Sequence, residues 1–172
     1  MEDLIKGRVW KFGDNISTDL MMPGSITYPA ESGQMTPEAT VPYCMSANRP
    51  GWSAEVRAGD ILVAGRNFGA GSSRPAYLPL LAAGIQAVLA ESAARLFYRN
   101  AINGGLVVLS CPGITDLAEE GDMLEVDLVK GIARKIGAPQ ELRFPPMPAG
   151  SPPRQVLEAG GLIPYLKIKL GL

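Results

Sequence analysis

The sequence predicts an α/β fold built around a parallel-sheet βαβαβ core. Three apolar runs carry that expectation: ILVAG (61–65), IQAVLAES (85–92) and LVVLSC (106–111). Each is short, rich in strand-forming residues and bounded by turn residues, as strands buried on both faces are. Between them lie two stretches of helical character, 74–83 and 93–104. Strands alternating with helices at this spacing build parallel sheets with right-handed crossovers.

From the N-terminus, KGRVWKF (6–12) partly alternates and is predicted as a strand, followed by the turn-rich GDNISTD (13–19). LMMP (20–23) is a short apolar run, and SITYPAESGQMTP (25–37), rich in small and turn residues, is predicted as a surface loop. SAEVRAG (53–59) is polar and turn-like, and Gly59-Asp60 introduces the first of the three buried strands. A helix is predicted over Arg74 to Ala83, with a serine cap and a proline in its first turn, ending at Gly84. The second helix, AARLFYRNAING (93–104), stops at Gly104-Gly105. DMLEVDLVKGIARKIG (122–137) is predicted as a hairpin turning at Lys130-Gly131. PPMPAGSPP (145–153) is a proline-rich connector, and PRQVLEAGGLIPYLKIKL (153–170) a short helix with an apolar tail. With no internal repeat and no sign of a second domain, residues 1–172 are expected to form one domain.

Composition narrows the function classes. At 47% hydrophobic and 19% charged residues the chain has the make-up of a packed domain. Sixteen Lys and Arg against seventeen Asp and Glu give a net charge of −1, which leaves no basic face for nucleic acid. The N-terminus carries no apolar run resembling a signal peptide, and no segment reaches the roughly 18 apolar residues of a membrane helix. A cytoplasmic protein is expected. The absence of histidine excludes a Ser-His-Asp triad and a His-based zinc site. Cys44 and Cys111 are too few to ligate an iron–sulfur cluster alone, and are expected to be reduced thiols. No metal ligand is assigned in this chain.

The stretch GRNFGAGSSRPA (65–76) carries the chemistry. It leaves a buried strand and enters the predicted helix, where unpaired N–H groups and the helix dipole favour an anion. Gly69 and Gly71 permit a tight backbone, Ser72 and Ser73 offer hydroxyls, and Arg74 offers a planar fork suited to a carboxylate. The glycine order matches neither a dinucleotide loop nor a Walker A loop, and a hydrolase elbow would need a further glycine and a histidine. The residues alone leave two readings open: a serine-capped turn or an anion site.

GDILVAGRNFGAGSSR (59–74), AAGIQAVLAESAARLFYRNAINGGLVVL (82–109) and GRVWKFGDNISTDLMMPG (7–24) together resemble the small subunits of the aconitase superfamily, in order and in spacing. These are the swivelling-domain partners in isopropylmalate isomerase, homoaconitase and related hydro-lyases. The resemblance implies a swivelling β/β/α domain, and a role as small subunit of a two-chain hydro-lyase or isomerase. Such an enzyme dehydrates and rehydrates a hydroxy dicarboxylic acid, 3-isopropylmalate or another alkylmalate, with leucine biosynthesis the best-known setting. It also implies a [4Fe–4S] cluster held by three cysteines of a large catalytic subunit, and none bound by this chain.

Carried over by motif, Ser72 is the base whose alkoxide removes a proton beside a carboxylate, stabilised by helix N-terminal N–H groups and a nearby cation, supplied by Gly71, Ser73 and Arg74. Arg74 clamps a substrate carboxylate, with Ser73, Gly71 and the weaker neighbour Thr18 as further substrate-binding residues, and Asp19 orients the substrate and its polar network. Arg95, Arg99 and Asn100 are read as helix packing and capping. Two departures stand out. Pro75-Ala76 replaces the family's Glu-His pair, and SITYPAESGQMT (25–36) lacks the arginine usual in the substrate loop. A non-catalytic scaffolding subunit retaining the fold is the alternative.

Overall fold

The structure, a computed structural model, describes residues 2–172. Seven strands form one sheet: β1 (Leu4–Lys11), β2 (Ile61–Ala64), β3 (Ala87–Ala90), β4 (Val107–Ser110), β5 (Met123–Asp127), β6 (Ile132–Lys135) and β7 (Glu141–Arg143). Their spatial order is β4-β3-β2-β1-β5-β6-β7. Strand β1 joins two unlike halves. Its C-terminal part pairs parallel with β2, Val9 against Ile61, and β2–β3 and β3–β4 are parallel as well. Its other edge pairs antiparallel with β5, Ile5 against Val126, and β5–β6 and β6–β7 continue antiparallel.

The parallel half is the βαβαβ core that the three apolar runs predict. Every residue of β2 and β3 is buried, and alternate residues serve opposite faces. Leu62, Ala64, Val88, Ala90 and Val108 join one apolar cluster with Phe68, Leu80 and Phe97. Ile61, Val63, Ala87, Leu89 and Val107 join the other, with Ile102, Ile114 and Val156. Cys44 lies in the first cluster and Cys111 in the second; both thiols are free and fully buried. Desolvation pushes both well above the ordinary thiol range, with the Glu91 charge adding to the effect at Cys111.

The helices are α1 (Thr18–Met21), α2 (Gly24–Glu31), α3 (Pro37–Thr40), α4 (Trp52–Glu55), α5 (Leu78–Ala82), α6 (Arg95–Gly104), α7 (Ile114–Leu117), α8 (Pro152–Glu158) and α9 (Leu162–Leu170). Four expectations are corrected. The run 25–37 is not a loop: its first part is α2, which tolerates Pro29 and buries only Ile26. Residues 52–55 form α4, which overlaps the start of the 53–59 stretch read as turn and has Trp52 fully buried. The helix expected from Arg74 begins only at Leu78. The apolar tail expected after the short C-terminal helix is itself a helix, separated from the first by Gly160 and Gly161, both at positive φ.

A polar lock secures the start of the sheet. The Asp60 carboxylate, 5% exposed, accepts hydrogen bonds from Trp10 Nε1 at 2.6 Å, Arg8 Nη2 at 2.7 Å and the Arg57 amide at 2.9 Å. Burial pushes its pKa up, but the Arg8, Arg57 and Trp10 hydrogen bonds outweigh that and hold it below the usual carboxylate range. Trp10 and Phe12 meet the Trp52 ring edge-on, at 6.3 and 5.8 Å between centroids.

Replacing Asp60 by Ala leaves the buried indole N–H without its acceptor and should cost about 2–3 kcal/mol in urea unfolding. Because folding lowers this pKa, the wild-type contribution is whole at neutral pH. It should be lost as pH falls below the unfolded value of about 3.9, through the folded one. A variant whose acid unfolding profile matches wild type would contradict this.

Candidate active site

The ladder between β1 and β2 does not end with the strands. Beyond them, Phe12 donates to the Val63 carbonyl, Gly65 to Gly13, Asn15 to Arg66, Gly69 to Ile16 and Thr18 to Ala70, at 2.7–3.1 Å. These bonds zip the loop after β1 to the loop after β2, at the carboxyl ends of adjacent parallel strands. Ligand sites of α/β sheets gather at such edges. Glycine is required along this seam. A Cβ on Gly69 would overlap the Phe97 ring, and one on Gly71, at φ +123°, would lie 2.6 Å from Thr18 Oγ1.

The seam brings residues some 55 positions apart into one cluster. Arg74 Nε donates to Ser72 Oγ at 2.7 Å, while Arg74 Nη1 donates to Asp19 Oδ1 at 2.5 Å and to the Met22 carbonyl at 2.9 Å. Asp19 is presented from the first turn of α1. Thr18 has its side chain buried, 1% exposed, and its Oγ1 accepts the Ser72 amide at 3.1 Å. From α6, Asn100 Nδ2 donates to the Ser73 carbonyl at 3.1 Å. Ser72 and Ser73 are therefore unlike: one offers its hydroxyl to a guanidinium, the other its carbonyl to a helix.

Five of the six site residues predicted from sequence thus converge directly, and Ser73 takes part through its main chain. Two details differ from expectation. The serines cap no helix, since α5 starts at Leu78 with no side-chain cap. A helix N-terminus consequently does not serve Ser72; Arg74 does. Thr18 faces the protein rather than the solvent, so it positions the serine loop. Asn100, read from sequence as helix packing, turns out to brace that loop; its place in AARLFYRNAING gave no hint of a partner 27 residues upstream. Arg95 and Arg99 instead line a separate groove with Tyr98 and Ser110. Ala76, in the departure from the Glu-His pattern, is wholly buried.

The chemistry follows from the bonds. A guanidinium donating to a serine oxygen favours the oxyanion form of that hydroxyl. The Asp19 side chain is 66% exposed and that of Arg74 17%. An ion pair so open to water is worth about 0–1 kcal/mol, so an incoming carboxylate can compete for the guanidinium. Arg74 Nη2 has no partner among the described residues. Ser72 and Asp19 both lie exposed. No group of three or more Cys, Asp or Glu able to hold a metal occurs among the described residues, and the two buried cysteines on opposite faces do not suit a cluster. No helix among them is long and apolar enough to cross a membrane.

Such a fold and cluster define an α/β domain presenting an open serine–arginine site. Residues 11–113 match the aconitase C-terminal domain family. The chain is 44% identical over 171 residues to the isopropylmalate/citramalate isomerase small subunit of Methanocaldococcus jannaschii, covering 99% of this chain and 98% of the relative. It is 44% identical over 169 residues to the methanogen homoaconitase small subunit of Methanothermobacter thermautotrophicus, covering 97% and 94%. The crystal structure of 3-isopropylmalate dehydratase from M. jannaschii superposes with a TM-score of 0.85 at 38% identity, over 97% of this chain and 95% of that one. The chain belongs to the aconitase C-terminal domain family, on the side of its separate small subunits.

Thr18→Val removes the acceptor of the Ser72 amide while keeping the shape of the side chain. It should cost about 1–2 kcal/mol and speed hydrogen exchange at Ser72, whereas Thr18→Ser should restore both. Unchanged exchange in the valine variant would mean that the contact does not hold the loop.

Proposed function

We propose that this chain is the small subunit of a two-chain hydro-lyase or isomerase that moves water across a hydroxy dicarboxylic acid. Ser72 serves as the base and Arg74 as the carboxylate clamp. The observation that carries the proposal is the 2.7 Å bond from Arg74 Nε to Ser72 Oγ, with Asp19 on the same guanidinium. The small-subunit names of the relatives support it.

In this scheme a substrate carboxylate enters beside Arg74 Nη2 and displaces part of the Asp19 contact. Ser72 Oγ, held as an oxyanion by Arg74, then accepts the proton from the carbon next to that carboxylate. The electron pair of the C–H bond becomes the new C=C bond as the hydroxyl leaves with the electron pair of its C–O bond; that hydroxide and the proton taken up by Ser72 together make the water lost, and rehydration returns both. The [4Fe–4S] cluster of this scheme belongs to the large subunit, where its chemistry is Lewis-acid activation of the departing hydroxyl. Asp19, freed in part, orients the substrate. Gly71 and Ser73 shape the approach, and Thr18 and Asn100 keep Ser72 in place.

The substrate class follows from charge. Residues 12–48, which carry Asp19, α1 and α2, contain neither Lys nor Arg. A third carboxylate on the substrate would find no cation there, which supports an alkylmalate, 3-isopropylmalate or citramalate, over a tricarboxylate. The whole of 1–172 acts as one swivelling domain, in the cytoplasm.

With the large subunit present, 3-isopropylmalate or citramalate should turn over with a higher kcat/KM than homocitrate; a preference for the tricarboxylate would refute the substrate assignment. Ser72→Ala should lower kcat by about 10²–10⁴-fold. Its melting temperature should stay near wild type, since Ser72 caps no helix. Ser73→Ala should keep most activity, and equal activity in both variants would remove Ser72 from the chemistry. Arg74→Lys should lose most of kcat/KM, because an ammonium cannot reach Ser72 and a carboxylate together.

A further inference from the structure

Helix α9 buries none of its residues. Ile163, Leu166 and Leu170 recur at i, i+3 and i+7, which places them on one face, and they are 63%, 38% and 66% exposed. Single exposed apolar residues are ordinary, but an aligned row is the mark of an interaction surface. The row begins in a groove of about 420 Å³ lined by Ser73, Pro75, Tyr77, Asn100, Leu162 and Ile163. One continuous surface therefore runs from the serine loop to the first turn of α9.

Continuity decides the occupant. Proton abstraction by Ser72 needs a site closed to bulk water, yet Ser72 and Asp19 lie exposed on this chain. Whatever closes over them also meets Ser73 and Pro75 at the mouth of the groove. We infer that the groove and the Ile163–Leu166–Leu170 face of α9 form part of the docking surface for the cluster-bearing large subunit. This inference rests on the two-chain function proposed above. Lys167 lies beside the row on the helix surface, and Lys169 is the other basic residue of the last turn. Glu31 also lines the groove, so the matching surface of the large subunit is apolar, acidic where it meets the lysines and basic where it meets Glu31.

The test measures binding of purified full-length variants to the cognate large subunit by calorimetry, with activity followed in parallel. Ile163→Asp suits the first turn of a helix, where the dipole favours an acid, and Leu170→Gln probes the far end of the row. Ile168→Gln is the control, since Ile168 is 73% exposed but on the other side of the helix. Each row variant should weaken Kd at least tenfold and recover full kcat at saturating concentration, while Ile168→Gln stays within twofold of wild type. Ser72→Ala should bind like wild type and lose activity. Should circular dichroism show that Ile163→Asp unravels α9, Leu170→Gln decides alone.

Wild-type Kd in both row variants overturns the inference and leaves the proposed function standing. Failure of the wild-type chain to bind the large subunit overturns both. Sedimentation showing that the chain self-associates through this face, with unchanged affinity of the row variants for the large subunit, assigns it to a second copy and also overturns the inference.

Discussion

The seam of backbone hydrogen bonds between the loops after β1 and β2 is the constraint on which the site depends. It extends the strand pairing as far as Thr18 and Ala70, so the chain that carries Asp19 must lie alongside the chain that carries Arg74. Asn15 and Asn67 reinforce it through a side-chain bond of 3.0 Å, both in the left-handed backbone region that asparagine tolerates better than most residues. A second pairing, Phe68 with Ala93, ties the serine loop to the entrance of α6. There Phe97 packs against Phe68 and leaves Gly69 no room for a side chain. Sheet, seam and helix thus fix the loop on three sides. Its polar face stays open.

The openness has an energetic consequence. A buried Arg–Asp pair would resist exchange, because each charge would have to be stripped and matched again. Here Asp19 is largely in water, and its hold on Arg74 is weak enough for a substrate carboxylate to take over. The bond from Arg74 to Ser72 is local, between residues two apart, so it can survive that exchange without a change of backbone. In the proposed function one guanidinium both activates the base and recognises the substrate. Stability is secured elsewhere, in the Asp60 lock and in Glu91. The Glu91 carboxylate accepts the Gly113 and Thr115 amides at 2.7 and 2.9 Å and fixes the turn into α7.

The parallel half of the sheet was legible in the sequence because strands buried on both faces must be continuous apolar runs, and ILVA and AVLA are. The antiparallel hairpin showed through its alternation. Three-residue β7 did not, being short and mostly exposed. Helix α2 was hidden because it buries one residue and contains a proline, so it has no apolar periodicity to read. The start of α5 was misplaced because serine followed by proline mimics a capped first turn. In the folded chain those residues run through bends and a tight turn, and Pro79 marks the true first turn. For the site, the residue types were legible from motif and resemblance. The roles of Thr18 and Asn100 were not, because they rest on contacts 54 and 27 residues apart that only the seam and α6 create.

In the proposed function Ser72 and Arg74 face the reacting atoms once the two subunits close. A crystal structure of this chain with its large subunit and a bound alkylmalate tests it most directly. Ser72 Oγ should lie within about 3.5 Å of the proton-bearing carbon, with Arg74 on the neighbouring carboxylate. A substrate held wholly by the large subunit, with Ser72 turned to bulk water and Arg74 still paired only to Asp19, would contradict it.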